Sequence, residues 1–397
     1  MIDPTPDVSA GLADAQHPSD SRIPMPSWLR GTICLLALYL FISSVAMIGI
    51  GLKVVGEDKL KGLFDLVNDP ITGLFVGVLF TALVQSSSFT TSMTVTLVST
   101  GQLHLPQAIP IIMGANVGTS ITGLLVSMGH LRRRNEFRRS LGAASCHDFF
   151  NVLCVILFLP LEIKFKIISG PVVKLSNMLV NMGLSPGGGK AGPIKNGISA
   201  IGHLFKWFLE DQMRLSKVWA GPIIAVLAMV LLFAALWLLV KMLRSLMQGR
   251  LSGIFNKTLF RNPATAFVVG IVITATIQSS SVTVSMIVPL VGAEVLQLAQ
   301  VFPYLLGANI GTTVTAMLAA LSTGSPQAIA CACGHLLFNS YGTIVFWPLK
   351  VIPITMAQTF GDIAARRRLV AIGYVLTLFF LLPALVLLIM KWTGHFQ

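Results

Sequence analysis

The chain is 397 residues long, 54% hydrophobic and only 11% charged, with a mean hydropathy of +0.80 and a net charge of +13. Soluble chains carry about 25% charged residues, so this composition excludes an ordinary soluble domain and points to a polytopic helical membrane protein. The basic excess does not signal nucleic acid: it lies in short runs beside apolar segments, where arginines set topology, and no nucleic-acid motif accompanies it.

Residues 1–30 are polar, with Asp3, Asp7, Asp14 and Asp20, and read as a disordered cytoplasmic tail without a secretory signal. Residues 31–52 form the first apolar run, long enough for one span, and a charged connector on the outside follows to residue 70. Residues 71–161 hold the first of two related units. The run Ile71–Val84 is 14 residues, roughly 21 Å as a helix, short of the ~30 Å hydrocarbon core. Gln85-Ser86-Ser87-Ser88 interrupts it before a second apolar run begins at Phe89. The expected geometry is a re-entrant helical hairpin with its tip at Gln85–Ser88, since polar backbone at that depth is tolerated only against a protein cavity. Gly114-Ala115-Asn116-Val117-Gly118-Thr119-Ser120 reads as a second interruption, an unwound stretch within a broken transmembrane helix. Residues 141–160 make a full span.

Residues 162–218 read as an extracytoplasmic loop, with an amphipathic stretch from Ile198 to Leu209. Residues 219–262 supply a linking span and a cytoplasmic loop. The second unit, 263–350, repeats the first. Gln278-Ser279-Ser280-Ser281 stands 193 residues after Gln85-Ser86-Ser87-Ser88, and Asn309 of Gly307-Ala308-Asn309-Ile310-Gly311-Thr312-Thr313 stands 193 after Asn116. His147-Asp148-Phe149-Phe150-Asn151 is answered 188 residues later by His335-Leu336-Leu337-Phe338-Asn339. Three landmarks in one order are an internal repeat, which in an apolar chain points to a transporter. Residues 351–397 supply a cytoplasmic loop and the last span.

Thirteen of the 14 arginines fall in four groups, at 22 and 30, 132–139, 244–261 and 366–368. Placing these groups in the cytoplasm puts the N-terminus inside, the C-terminus outside and the two units in inverted orientation. The expected fold is therefore an all-α polytopic membrane protein with two inverted-topology repeats, re-entrant hairpins and broken transmembrane helices, placed in the plasma (inner) membrane. Cys34, Cys146, Cys154, Cys331 and Cys333 all lie in apolar segments and read as packing thiols.

Residues 71–131 carry no Asp, Glu, Lys or Arg, and 263–349 carry only Glu294. The candidate site is thus neutral and dense in hydroxyls and amides. Their oxygens suit a hard cation such as Na+, and their donors, with half-helix N-termini, suit an oxyanion. A helix end contributes ~0.3–2 kcal/mol toward an anion, whereas a neighbouring Na+ contributes ~4 kcal/mol at 4 Å and an effective dielectric near 20. Each ion would thus depend on the other's charge, which is the physical root of symport. His147 and Asp148 follow the basic loop closely and read as interfacial and structural, and Glu294 as interfacial.

The paired Gln-Ser-Ser-Ser tips, the run Ile109–Ser120, Phe137-Arg138-Arg139 and His147–Asn151 resemble the type II sodium-dependent phosphate cotransporters, in a compact bacterial-type form. The resemblance implies Na+-driven uptake of inorganic phosphate by alternating access, with substrate between the two tips. It implies phosphate contacts at Ser86, Ser87, Ser88, Asn116, Ser279, Ser280, Ser281 and Asn309. It implies Na+ contacts at Gln85, Ser88, Thr119, Ser120, Gln278, Ser281, Thr312 and Thr313. No cofactor is expected beyond Na+ as coupling ion, and the partners are phosphate, Na+ and the lipid bilayer. A homodimer is common among such transporters, although the sequence carries no interface signal. The chain departs from larger animal members in lacking a cysteine in 162–218, which excludes a loop disulfide. It also lacks a carboxylate between Ile71 and Asn135, where electrogenic members use an acidic residue. The alternatives are another oxyanion coupled to H+ or exchanged, and a non-transporting scaffold or sensor. An enzyme is not expected, since no catalytic arrangement of Ser, His and acid recurs.

Overall fold

The computed structural model describes residues 25–55, 67–182, 193–254, 260 and 262–392. The described residues are helical and contain no strand. Seven of the helices are long and apolar enough to cross a membrane. The expected tail at 1–24, part of the first connector (56–66), the glycine run within 183–192 and the residues 393–397 lie outside the described residues.

A scaffold pair comes first. Helix α1 (Ser27–Val55) runs antiparallel to the later helix α8 (Lys217–Ile254). Arg30 near the start of α1 donates to the Ser245 carbonyl at 2.8 Å, while Gly51 packs against Ala225 and Gly221 against Val54 and Val55.

The first unit begins with α2 (Pro70–Val84) and α3 (Ser87–Ser99), two short helices joined at Gln85 and Ser86. Asp69 caps α2 by accepting from the Thr72 N–H at 2.9 Å, and Pro70 fills the first helical position, where no donor is needed. The spanning helix α4 (Leu105–Met128) follows. Gly77 lies against the Ile111 carbonyl and Gly114 against the Leu74 carbonyl, so α2 and α4 run parallel and α3 must carry the chain back between them. Gln107 also donates to Asn68, joining the starts of α2 and α4.

This geometry corrects the expected break at Gly114–Ser120. Helix α4 is continuous through it, as is α11 (Leu298–Thr323) through Gly307–Thr313. The glycines serve close approach, not unwinding: a methyl at Gly114 would overlap the Leu74 carbonyl, and one at Gly307 would overlap that of Phe267. Small residues let membrane helices touch backbone to backbone.

Helix α5 (Arg134–Phe165) completes the unit. The segment expected as a loop after it holds α6 (Ser169–Asn181) and α7 (Pro193–Trp207), followed by a π-helical turn at Phe208–Gln212. Buried Glu162 anchors the start of α6 by accepting from the Ile168 N–H at 2.7 Å, and Gly202 of α7 packs on Met47 and Ile50 of α1.

The second unit reuses the plan in α9 (Pro263–Ile277), α10 (Ser280–Gly292), α11 and α12 (Pro326–Phe346). Asn262 caps α9 before Pro263, and Gly270 meets the Tyr304 carbonyl, each 193 residues from its partner in the first unit. Helices α5 and α12 run antiparallel, Phe158 facing Phe338 and Phe150 facing Phe346. The two hairpin bases lie at opposite ends of α4. The first sits at its start, and the second beyond its end, where Arg139 donates to the Gly292 carbonyl at 2.9 Å.

Helix α13 (Val351–Arg366) packs along the first half of α5, with Gly361 against the Arg138 carbonyl. The last span is α14 (Arg368–Leu376), a π-helical turn at Thr377–Leu381 and α15 (Leu382–Trp392).

Candidate functional site

Each hairpin tip is built from the same local chemistry. Gln85 (φ 56°) and Gln278 (φ 59°) are left-handed and end α2 and α9, their N–H groups donating to Thr81 and Thr274. A left-handed non-glycine residue stores on the order of 1–2 kcal/mol of strain, and such strain collects at functional sites. Ser86 and Ser279 then go extended and cap α3 and α10, accepting from the Phe89 and Val282 N–H groups. Behind each tip a threonine pair closes the turn, Thr81 donating to Thr90 at 2.8 Å and Thr274 paired with Thr283 at 2.9 Å. The tips meet: the Ser88 hydroxyl donates to the Gln278 carbonyl at 2.9 Å. No twin bond joins Ser281 to Gln85.

The spanning helices add a closed hydrogen-bond ring beside the tips. Asn151 Nδ2 donates to Ser120 Oγ at 3.3 Å, and Ser120 Oγ lies 3.4 Å from His147 Nδ1. His147 Nε2 donates to Asn309 Oδ1 at 2.7 Å, and Asn309 Nδ2 donates to Asn151 Oδ1 at 2.7 Å. The Asn309 amide oxygen can only accept, which assigns a histidine proton to Nε2. Asn151 Nδ2 also reaches the Asn116 carbonyl at 3.1 Å. The ring ties α4 and α5 of the first unit to α11 of the second.

Of the residues expected at the site, Ser87, Ser88, Asn116, Thr119, Ser120, Gln278, Ser280, Ser281, Asn309, Thr312 and Thr313 are buried. Ser86 and Ser279 are half-buried, and Gln85 is exposed. Hydrogen bonds join Ser88 to Gln278, and Ser120 and Asn309 to one another through the ring. Thr119, Thr312 and Thr313 instead turn to carbonyls of their own helices, those of Ala115, Ala308 and Ile310. Gln278 Oε1 is buried without a partner.

The structure adds three residues that were read as peripheral or left unassigned. His147 and Asn151 belong to the ring. Asp148, expected near the interface, is fully buried next to Ser120, with one carboxylate oxygen accepting from the Tyr374 hydroxyl and the other unpartnered. An acidic side chain from α5 therefore lies beside Ser120 of the first unit. The shared His-x-x-x-Asn spacing, one helical turn, was the available signal.

A cavity of about 620 Å³ lies away from the tips, at the base of the second hairpin, lined among others by Arg138, Arg139, Glu294, Gln358 and Asp362. There Arg139 pairs with Glu294 at 2.6 Å and Arg138 with Asp362 at 3.4 Å. At the tips, α3 and α10 begin in serine-rich turns, so donor-rich helix N-termini, hydroxyls and amide oxygens share one buried region with a carboxylate. Such a set can hold an oxyanion and hard cations together.

A family model described as Na+/Pi-cotransporter matches residues 40–185 and 231–356. The sodium-dependent phosphate transport protein 2A of Rattus norvegicus is 33% identical over 427 residues, spanning 90% of this chain and 67% of that protein. The 2B protein of Homo sapiens is 31% identical over 440 residues, spanning 87% of this chain and 63% of that protein. No solved structure matches the chain.

Proposed function

Because the chain belongs to the Na+/Pi-cotransporter family, we propose that this sodium-coupled phosphate cotransporter works as a secondary active symporter, taking inorganic phosphate into the cell by alternating access. Phosphate binds between the hairpin tips, at Ser86–Ser88 and Ser279–Ser281 with Asn116 and Asn309. Na+ binds at Gln85, Gln278, Ser88, Ser281, Thr119, Ser120, Thr312 and Thr313. The observation that carries this assignment is the Ser88–Gln278 bond, which brings two segments 190 residues apart into one buried contact. Opposed hairpin bases support inverted units, with the arginine-rich loops in the cytoplasm, the N-terminus inside and the C-terminus outside.

The charge balance favours co-binding. Phosphate meets no Lys or Arg side chain at the tips, so bound cations must supply its counter-charge, each worth ~4 kcal/mol at contact distance and an effective dielectric near 20. The protein acts without a cofactor, in the lipid bilayer.

Labelled phosphate uptake into proteoliposomes, with and without an inward Na+ gradient, tests the function. The gradient should drive accumulation, and choline in place of Na+ should abolish it. Ser87→Ala and Ser280→Ala should each lower uptake at least tenfold. Unchanged sodium-dependent uptake in both variants would remove the tips from the site.

A further inference from the structure

The ring Asn151–Ser120–His147–Asn309 has a complete twin in the sequence. Repeat spacing maps its members onto Asn339, Thr313, His335 and Asn116. All four are present and buried, at 1%, 6%, 1% and 5% exposure. Chemically the twin differs only by one methyl, threonine for serine, so it can form the same ring.

It is open. Asn339 Nδ2 donates to the His335 carbonyl of its own helix, and Thr313 donates to the Ile310 carbonyl of its own helix. Asn116 Nδ2 donates to the Ile112 carbonyl of its own helix. His335 Nδ1 and Asn339 Oδ1 have no partner. Buried polar atoms are rarely left unpaired, and each lacks a bond that its counterpart in the first unit makes. The tips share the asymmetry: Gln85 is exposed and Gln278 buried, and only Ser88 crosses to the other tip.

We propose that the two rings close alternately: the Asn339–Thr313–His335–Asn116 ring forms in the opposite-facing state, as the Asn151–Ser120–His147–Asn309 ring opens. His147, Asn151, His335 and Asn339 are positioning residues for the conformational step, while Ser120, Asn309, Thr313 and Asn116 also line the proposed ion and phosphate site. Closing one ring ties α11 to the first unit, and closing the other ties α4 to the second. A two-state element of this kind is what alternating access requires, because each state satisfies groups that the other leaves bare. This rests on the symporter reading, whose own test is sodium-driven uptake by the unaltered protein. The test below needs no transport, so the two can fail separately.

Hydrogen–deuterium exchange on the purified protein in Na+ buffer without phosphate reads the two tips separately, at residues 85–89 and 278–282. His147→Ala removes the closed ring. It should raise exchange at 278–282 and lower it at 85–89, by about tenfold, as the tips trade environments. Adding His335→Ala removes the ring that would form instead, and should return both tips toward their original exchange. A merely structural histidine gives another pattern, in which the second substitution loosens the tips further. Either that pattern, or no movement in His147→Ala, overturns the proposal. Asn151→Ala, with and without Asn339→Ala, repeats the test should His147→Ala fail to fold.

Discussion

The two units share their caps, their left-handed glutamines, their threonine pairs and their glycine contacts, yet diverge one residue after the histidine. The first has His147-Asp148 and the second has His335-Leu336. The shared features build the frame: helix ends, the return of each hairpin and the parallel packing on a spanning helix. The divergent pair places a single carboxylate at the site, held by Tyr374 from the last span. The contrast teaches that repetition makes the frame, while its loss at one position brings in an ionisable group.

The frame is the place to look for the largest effects. Gly114→Val and Gly307→Val each drive a side chain into a neighbouring carbonyl, that of Leu74 or Phe267. Overpacking of this kind costs roughly 3 kcal/mol or more against backbone that cannot retreat. Both variants should lose most folded protein, read as the monodisperse fraction in size-exclusion chromatography. If one twin tolerates valine while the other collapses, the units do not share one packing plan.

The divergent pair comes next. Asp148→Asn keeps the shape but removes the ionisable group, and sodium-dependent phosphate uptake should fall at least tenfold, with a higher Na+ concentration needed for half-maximal rate. Leu336→Asn, at the matching place, should change uptake less than threefold. Equal effects at both positions would show that Asp148 contributes packing and not charge.

The smallest effect lies at the base of the second hairpin. Arg139→Gln gives up the bond to the Gly292 carbonyl and the ion pair to Glu294, itself left-handed at φ 60°. It should lower stability by about 1–2 kcal/mol. Arg138→Gln loses only an exposed pair with Asp362, worth about 0.5 kcal/mol or less. Thermal unfolding in detergent separates the two.

Much of this was legible in the chain. A polar tetrad inside an apolar run marks a helix break, and the break occurs there because serine caps a helix well and no glycine is needed for the turn. Spans followed from apolar length. What misled was glycine at 114 and 118, which reads as a breaker in water but permits backbone contact between membrane helices. The burial of Asp148 went unread because distance was judged from the arginine loop. Helix α5 already begins at Arg134, so His147, 13 residues on, lies roughly 20 Å along it. The cap residues Asp69 and Asn262, and the His104–Gln107 and Gln297–Gln300 pairs, repeat at the same spacing and went unread because each motif is only a few residues long.

The circuit of Asn151, Ser120, His147 and Asn309 has an electrical corollary. With a neutral imidazole every member is uncharged, and making or breaking the circuit would displace no net charge across the bilayer. Membrane voltage then does no direct work on that rearrangement. Any voltage sensitivity of turnover has to enter through the ions themselves and the lone carboxylate of Asp148.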